Sequence, residues 1–126
     1  MIITEGLLVY LTAEEVGVLA QDLAAPSNFQ RWVLDLASPG LVRMLQKKMG
    51  SVLNQAGTTL KFGPAEGPEF FIPSGWKPVE VYSMLKTAAK IKRLPFGLLR
   101  LVALLPESTG RQGSRPWGGV CRLTRI

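Results

Sequence analysis

The sequence predicts an α/β fold with a largely parallel sheet, and three observations predict it. Apolar stretches of strand length alternate with amphipathic stretches of helix length, in the order strand, helix, strand, helix over the first 57 residues. Such alternation calls for parallel strands joined by crossover helices. The stretch Phe29 to Ala37 holds Trp32, Val33, Leu34 and Leu36, a near-continuous apolar run that implies cover on both faces of a strand. Helix starts and stops are also marked by their own chemistry, at Thr12 to Glu15, at Ser38-Pro39 and at Gly57.

Ile2 and Ile3 open the first apolar run, Glu5-Gly6 interrupts it, and Leu7 to Leu11 resumes it. A buried strand ending in a carboxylate and a glycine before a helix sets one acidic side chain at the carboxyl edge of a sheet, where α/β proteins place ligands. On spacing alone, Glu5 reads as the polar end of a strand. Thr12 and Glu15 form a capping-box pair, so a helix is expected from about Ala13 to Ala25. Val16, Leu19, Ala20, Leu23 and Ala24 form its apolar face, and Pro26 stops it. In the strand that follows, Asp35 is the exception. A carboxylate there needs a partner or water, and its plain reading is a strand-end residue facing a crevice, with no role in chemistry.

Ser38 before Pro39 is a helix start. Leu41, Met44, Leu45, Met49, Val52, Leu53 and Ala56 keep the helical period and read as core, with Gly57 as the stop. Residues 58–78 are rich in glycine and proline, which predicts a long connection without a regular element. Phe62, Phe70, Phe71 and Trp76 give it apolar anchors, as in a lid or a packed Ω-like loop. Pro78 to Tyr82 alternates as a strand near the sheet edge. Two helices are expected next, one opened by Ser83 and one over Phe96 to Leu105. A loop follows over 106–118, and Gly119 to Ile126 closes as a strand. The chain of 126 residues is expected to be one domain, 1–126.

Composition excludes several functions. The chain has 47% hydrophobic and 19% charged residues, a globular balance. With no histidine there is no histidine triad and no imidazole ligand. One cysteine, Cys121, excludes an internal disulfide and suits a reducing cytoplasm. No dinucleotide or phosphate-loop motif is present, and no cysteine spacing suits zinc. Charge is uneven: residues 1–82 carry a net −2 and residues 83–126 a net +8, together the chain's +6. A basic half attracts phosphates or anionic lipid, or serves only as a solvated face. It lacks the interleaved aromatics of a single-strand nucleic-acid platform, so nucleic acid is not an expected partner. A membrane surface is a lesser candidate. The apolar run Leu94 to Pro106 is too short to span a bilayer.

The heptapeptide Glu5-Gly6-Leu7-Leu8-Val9-Tyr10-Leu11 resembles the E-G-L-L-x-Y-L signature of the leucine carboxyl methyltransferase family, class I S-adenosylmethionine-dependent O-methyltransferases. Later stretches fit in the same order: Arg31 to Leu36, Leu60 to Gly63, Phe70-Phe71 before Gly75-Trp76, and Gly119 to Thr124. The resemblance implies the C-terminal half of a class I methyltransferase (Rossmann-like) sheet, parallel strands with helices and an antiparallel last strand. It implies methyl transfer from S-adenosylmethionine to a carboxylate or hydroxyl oxygen. By the same resemblance Glu5 lies against the methionine part of the cofactor and Tyr10 on the acceptor side. The glycine loop and ribose acid of that family belong to its N-terminal half, so a chain from a truncated or split gene is expected to be incomplete or inactive alone. The expected partner is a complementary N-terminal half or a second copy. The alternative is a non-catalytic dimerising or partner-binding module derived from that fold.

Overall fold

The computed structural model describes residues 1–84 and 115–126. It is a mixed α/β arrangement around one open four-stranded sheet. The strands are β1 (Ile2–Thr4), β2 (Arg31–Ala37), β3 (Trp76–Ser83) and β4 (Gly118–Arg125), ordered β1-β2-β4-β3. β1 runs parallel to β2, with Ile3 opposite Val33, and β4 is antiparallel to both β2 and β3. The helices are α1 (Ala13–Ala24) and α2 (Pro39–Gln55), with 3-10 segments at Leu8–Tyr10 and Gly67–Ser74. The two basic helices expected after Ser83, and most of the loop after them, lie outside the described residues.

The helix signals act as their chemistry requires. The Thr12 backbone N–H donates to Glu15 Oε2 at 2.8 Å and the Glu15 N–H donates to Thr12 Oγ1 at 3.2 Å, a complete capping box. Taking the Thr12 backbone N–H holds the Glu15 carboxyl below its ordinary range. α2 ends in a Schellman motif: the Thr58 N–H donates to Leu53 O, the Gly57 N–H donates to Asn54 O, and Gly57 has φ +74°.

The core is a cluster in which Trp32 is central. Its ring meets Phe71 edge-on at 5.3 Å and Trp76 at 5.5 Å between centroids. Val16 and Ala20 of α1, Leu34 and Leu36 of β2, and Cys121 and Leu123 of β4 belong to it, with Leu8, Phe62 and Trp117. Trp32 Nε1–H donates to Thr4 Oγ1 and Trp76 Nε1–H donates to Ala20 O, so these two indoles are satisfied, whereas the buried Trp117 Nε1–H has no acceptor among the described residues.

Four expectations need correction. Residues 58–78 do contain a regular element, the 3-10 segment at Gly67–Ser74. Its short repeat tolerates Pro68 at the start and Pro73 within, and Gly75 ends it at φ +96°. With Phe62, Phe71 and Trp76 buried, this stretch is part of the core rather than a lid. β3 begins at Trp76, not Pro78. A bulge between Pro78 and Glu80 then shifts the alternation, leaving Val79 exposed and Val81 half-buried. β3 does lie at the sheet edge, where a proline is tolerated. β2 is covered fully on one face only: Trp32, Leu34 and Leu36 are buried, while Val33, Asp35 and Ala37 are half-buried. Finally, α2 is not a core helix along its length. It is buried at Gly40 and Val42, whereas Met49 and Val52 are exposed.

Candidate functional site

The exposed length of α2 has a consequence for the sheet. A cleft of about 260 Å³ opens at the carboxyl ends of β1 and β2. Leu41, Leu45, Met49 and Leu53, one stripe of α2, form one wall. Leu8, Val9 and Tyr10 of the first 3-10 segment, with Leu60 and Phe62, form another. Asp35, Leu36 and Ala37 of β2 and Gly118 of β4 supply sheet residues to the lining, and Met84 completes it. This is the edge at which α/β sheets place ligands.

The walls are tied together by backbone. Val9 O accepts from the Lys61 N–H at 2.7 Å and from the Phe62 N–H at 3.1 Å. Gln46 Nε2 donates to Leu60 O at 2.7 Å, which joins α2 to the same segment. Gly63 lets Val42 approach: a Cβ there would lie 2.7 Å from Val42 Cγ2 and 3.1 Å from Ser38 O. At the start of α2, the Ser38 hydroxyl donates to Arg115 O at 2.6 Å. It accepts from the Leu41 N–H at 3.2 Å and from the Trp117 N–H at 2.9 Å. One buried hydroxyl thus fixes α2 to the entry of β4.

Asp35 is the carboxylate of the cleft. The Gly6 N–H donates to its Oδ1 at 2.9 Å, with Gly6 at φ +61°. The turn after β1 therefore orients the side chain of β2. Tyr10 also lines the cleft and is 41% exposed. Glu5 is exposed and does not line it. The structure brings Tyr10 and Asp35 together and leaves Glu5 beside the site, at the same edge of the sheet.

The remaining groups limit the chemistry. Burial, with the nearby Asp35 charge, pushes the Cys121 thiol up to about 12, so it is an inert core side chain and not a nucleophile. Ser38 is engaged in its clamp. Among the described residues no cluster of acidic or cysteine side chains could hold a metal ion. Nor is any described helix long and apolar enough to cross a membrane. In the basic half, Arg122 pairs with Glu80 at 2.7 Å and Arg125 donates to Pro26 O, so two of its charges are used within the sheet and its flank. The arrangement can hold a small apolar molecule with a polar end at Asp35 and Tyr10.

Sequence reasoning read the α2 stripe as core because an amphipathic face looks the same whether it meets a sheet or a ligand. The one sequence signal at this place is Asp35, the single carboxylate in an apolar strand, and by itself it reads equally as a strand end. No protein-family model matches the chain, and no curated protein matches it significantly.

Proposed function

We propose that the chain forms the acceptor side of an S-adenosylmethionine-dependent O-methyltransferase of the leucine carboxyl methyltransferase kind. The observation that carries this reading is the cleft at the carboxyl ends of β1 and β2, directly behind the Glu5-Gly6 turn and lined by Tyr10. The antiparallel last strand also agrees with that family's sheet.

The described residues fit a cofactor only in part. Glu5 offers one carboxylate, at the edge where the resemblance puts the methionine portion. The turn beside it, Glu5-Gly6, carries a single glycine, and the neighbouring acid, Asp35, is engaged by the Gly6 N–H. What this chain's own residues do is bind and orient the acceptor: the α2 stripe packs its apolar body, and Asp35 and Tyr10 hold its polar end. Positioning is the main contribution a protein makes to such a transfer.

Calorimetry with S-adenosylmethionine tests the reading, on the chain alone and mixed with a complementary N-terminal half. The chain alone binds weakly or not at all, and the mixture binds at micromolar concentration. In the mixture, Glu5→Gln loses about 1.5–3 kcal/mol of cofactor affinity, the worth of a charge-assisted hydrogen bond. Absence of binding in both settings overturns the reading.

A second reading, a dimerising module without catalysis, has its own observation. β1 is an edge strand with Ile3 65% exposed, next to Met1 and Leu7, which are also exposed. Exposed apolar edges pair with other chains. Sedimentation at low micromolar concentration reads this directly: a two-fold dimer that Ile3→Lys dissolves supports it, and a monomer removes it.

A further inference from the structure

We infer that the exposed face of the sheet docks a second copy of this chain, stacked face to face and antiparallel, so that Arg31 of one copy meets Asp35 of the other. The inference stands apart from the methyltransferase reading. It also differs from the pairing of β1 edges, because here the sheets meet by their faces. Helix α1 and the 3-10 segment at Gly67–Ser74 pack against the Trp32 face of the sheet. The strand registers put Ile3, Val33, Arg122 and Glu80 in one row across the other face, and Asp35, Val120 and Tyr82 in the next. Ile3, Val120 and Tyr82 are exposed there, and Val33 is half-buried. β-branched and aromatic side chains on an exposed sheet face mark an interface, because a sheet is stable when its apolar surface meets another layer.

The occupant follows from the charges on this face. Arg31, Thr124 and Lys77 form the row on one side of Val33, with Arg31 and Lys77 exposed. Asp35 and Tyr82 lie in the row on its other side. The face thus carries cations at one end of β2 and a carboxylate at the other, with Val33 midway. A two-fold axis through Val33, running across the strands, reverses the strand direction and sets each end on its complement. Arg31 then meets Asp35 on β2, and Lys77 meets the Tyr82 ring on β3, a cation over an aromatic face. Ile3 and Val33 meet their own copies between these pairs. Sheets packed about 10 Å apart leave room for such side chains to touch. The Arg122–Glu80 pair enters already neutralised, with a 2.7 Å contact, and adds no net charge to the middle row.

Size sets the strength of the contact. Four strands about 4.8 Å apart, with β2 seven residues long at about 3.3 Å each, give an outline of roughly 450 Å² on each copy. Two copies together cover about 900 Å², near the ~1,000 Å² at which specific interfaces begin. The dimer is therefore weak and forms in the micromolar range. It also has a consequence for the cleft. Asp35 lines the cleft, and its Oδ1 accepts the Gly6 N–H. Each copy then sets its Arg31 guanidinium at the cleft mouth of the other.

Sedimentation equilibrium of the full chain, from low micromolar to submillimolar concentration, tests this with paired charge swaps. The wild type dimerises. Arg31→Glu sets carboxylate against carboxylate at both ends of the contact and weakens the dimer at least tenfold. Arg31→Glu combined with Asp35→Lys restores it to within threefold, which a merely misfolded variant does not do. Asp35 also takes the Gly6 N–H, so a second swap spares it. Lys77→Glu weakens the dimer, and Lys77→Glu combined with Tyr82→Lys restores it, both residues being exposed on β3. Far-ultraviolet dichroism checks that each variant is folded. Swaps that weaken the dimer without restoring it overturn the inference. So does a dimer that Ile3→Lys dissolves and that Arg31→Glu and Lys77→Glu leave intact. That result leaves the edge pairing standing, since β3 lies at the opposite edge of the sheet from β1. A monomer throughout overturns both, including the case in which the chain's own residues cover this face.

Discussion

Ser38→Ala separates a helix cap from a structural clamp. Ser38 is 1% exposed, and its hydroxyl serves three groups: Arg115 O, the Leu41 N–H and the Trp117 N–H. Loss of the cap to Leu41 alone costs about 1 kcal/mol, within a usual span of roughly 0.5–2. The Trp117 residue is 8% exposed, so its N–H would be left buried without an acceptor, a further cost of about 1–3 kcal/mol. Arg115 is exposed, and water can replace its lost donor at little cost. The expected loss is about 2–4 kcal/mol. Ser38→Gly refines the test, because glycine replaces a capping serine at only a few tenths of a kcal/mol. Nearly all that this variant loses is then the Trp117 contribution. Urea unfolding followed by tryptophan fluorescence measures both, with an unchanged slope showing that the denatured state is the same. A loss near 1 kcal/mol for Ser38→Ala with almost none for Ser38→Gly would mean that Ser38 only caps α2. The tie between the cleft wall and β4 would then carry no weight.

Two other perturbations probe the same region. Gly119→Ala would set a Cβ 2.5 Å from the Trp117 ring and 2.6 Å from Tyr82 O, a backbone atom that cannot swing away. Overpacking of this kind costs about 1–3 kcal/mol, and a variant as stable as wild type in the same urea assay would refute the packing described. Cys121 gives a pH signature. Its folded-state value of about 12 lies above the ordinary 9.0, so the folded state keeps its proton while the unfolded state loses it. The stability is complete below pH 9 and declines as pH rises toward 12, by about 1.4 kcal/mol per pH unit. Cys121→Ala, compared with wild type at pH 8 and 10.5, should show a flatter decline, and parallel curves would show that burial leaves the thiol unperturbed.

Local signals carried most of the fold. Thr12, Glu15, Ser38, Pro39 and Gly57 place helix ends through contacts with their own neighbours, and each sits where its chemistry put it. What was not legible depended on distant partners. The bulge at Val79 arises from pairing with β4, some forty residues away, and nothing within Pro78 to Tyr82 announces it. The 3-10 segment at Gly67–Ser74 exists because Phe71 is drawn into the ring cluster of Trp32 and Trp76. Its prolines and glycine argue locally for an irregular loop. The cleft was hidden for a related reason. Val42 is buried because Gly63 admits it, while Met49 one and a half to two turns later along α2 has no such neighbour and stays exposed. Tyr10 lines the cleft and Glu5 does not, although they share one motif. The φ of +61° at Gly6 turns the chain between them.

The position of Asp35 follows from strand parity and could not be otherwise with this core. Side chains alternate along β2. Burying Trp32, Leu34 and Leu36 on one face places Val33, Asp35 and Ala37 together on the other. A slip of one residue would move the carboxylate into the ring cluster and the tryptophan out of it, so the core enforces the register. The carboxylate then occupies the half-covered face, where water and a backbone donor are both available. The donor comes from Gly6. In the left-handed region a glycine pays no steric cost, and its N–H reaches across from β1 to β2. The parallel pairing of Thr4 with Leu34 brings the ends of both strands to the same edge. The short β1 thereby supplies what the longer β2 lacks: a fixed hydrogen bond that holds Asp35 at the mouth of an apolar cleft. Gly6 and Asp35 thus work as one unit, joined by the glycine N–H.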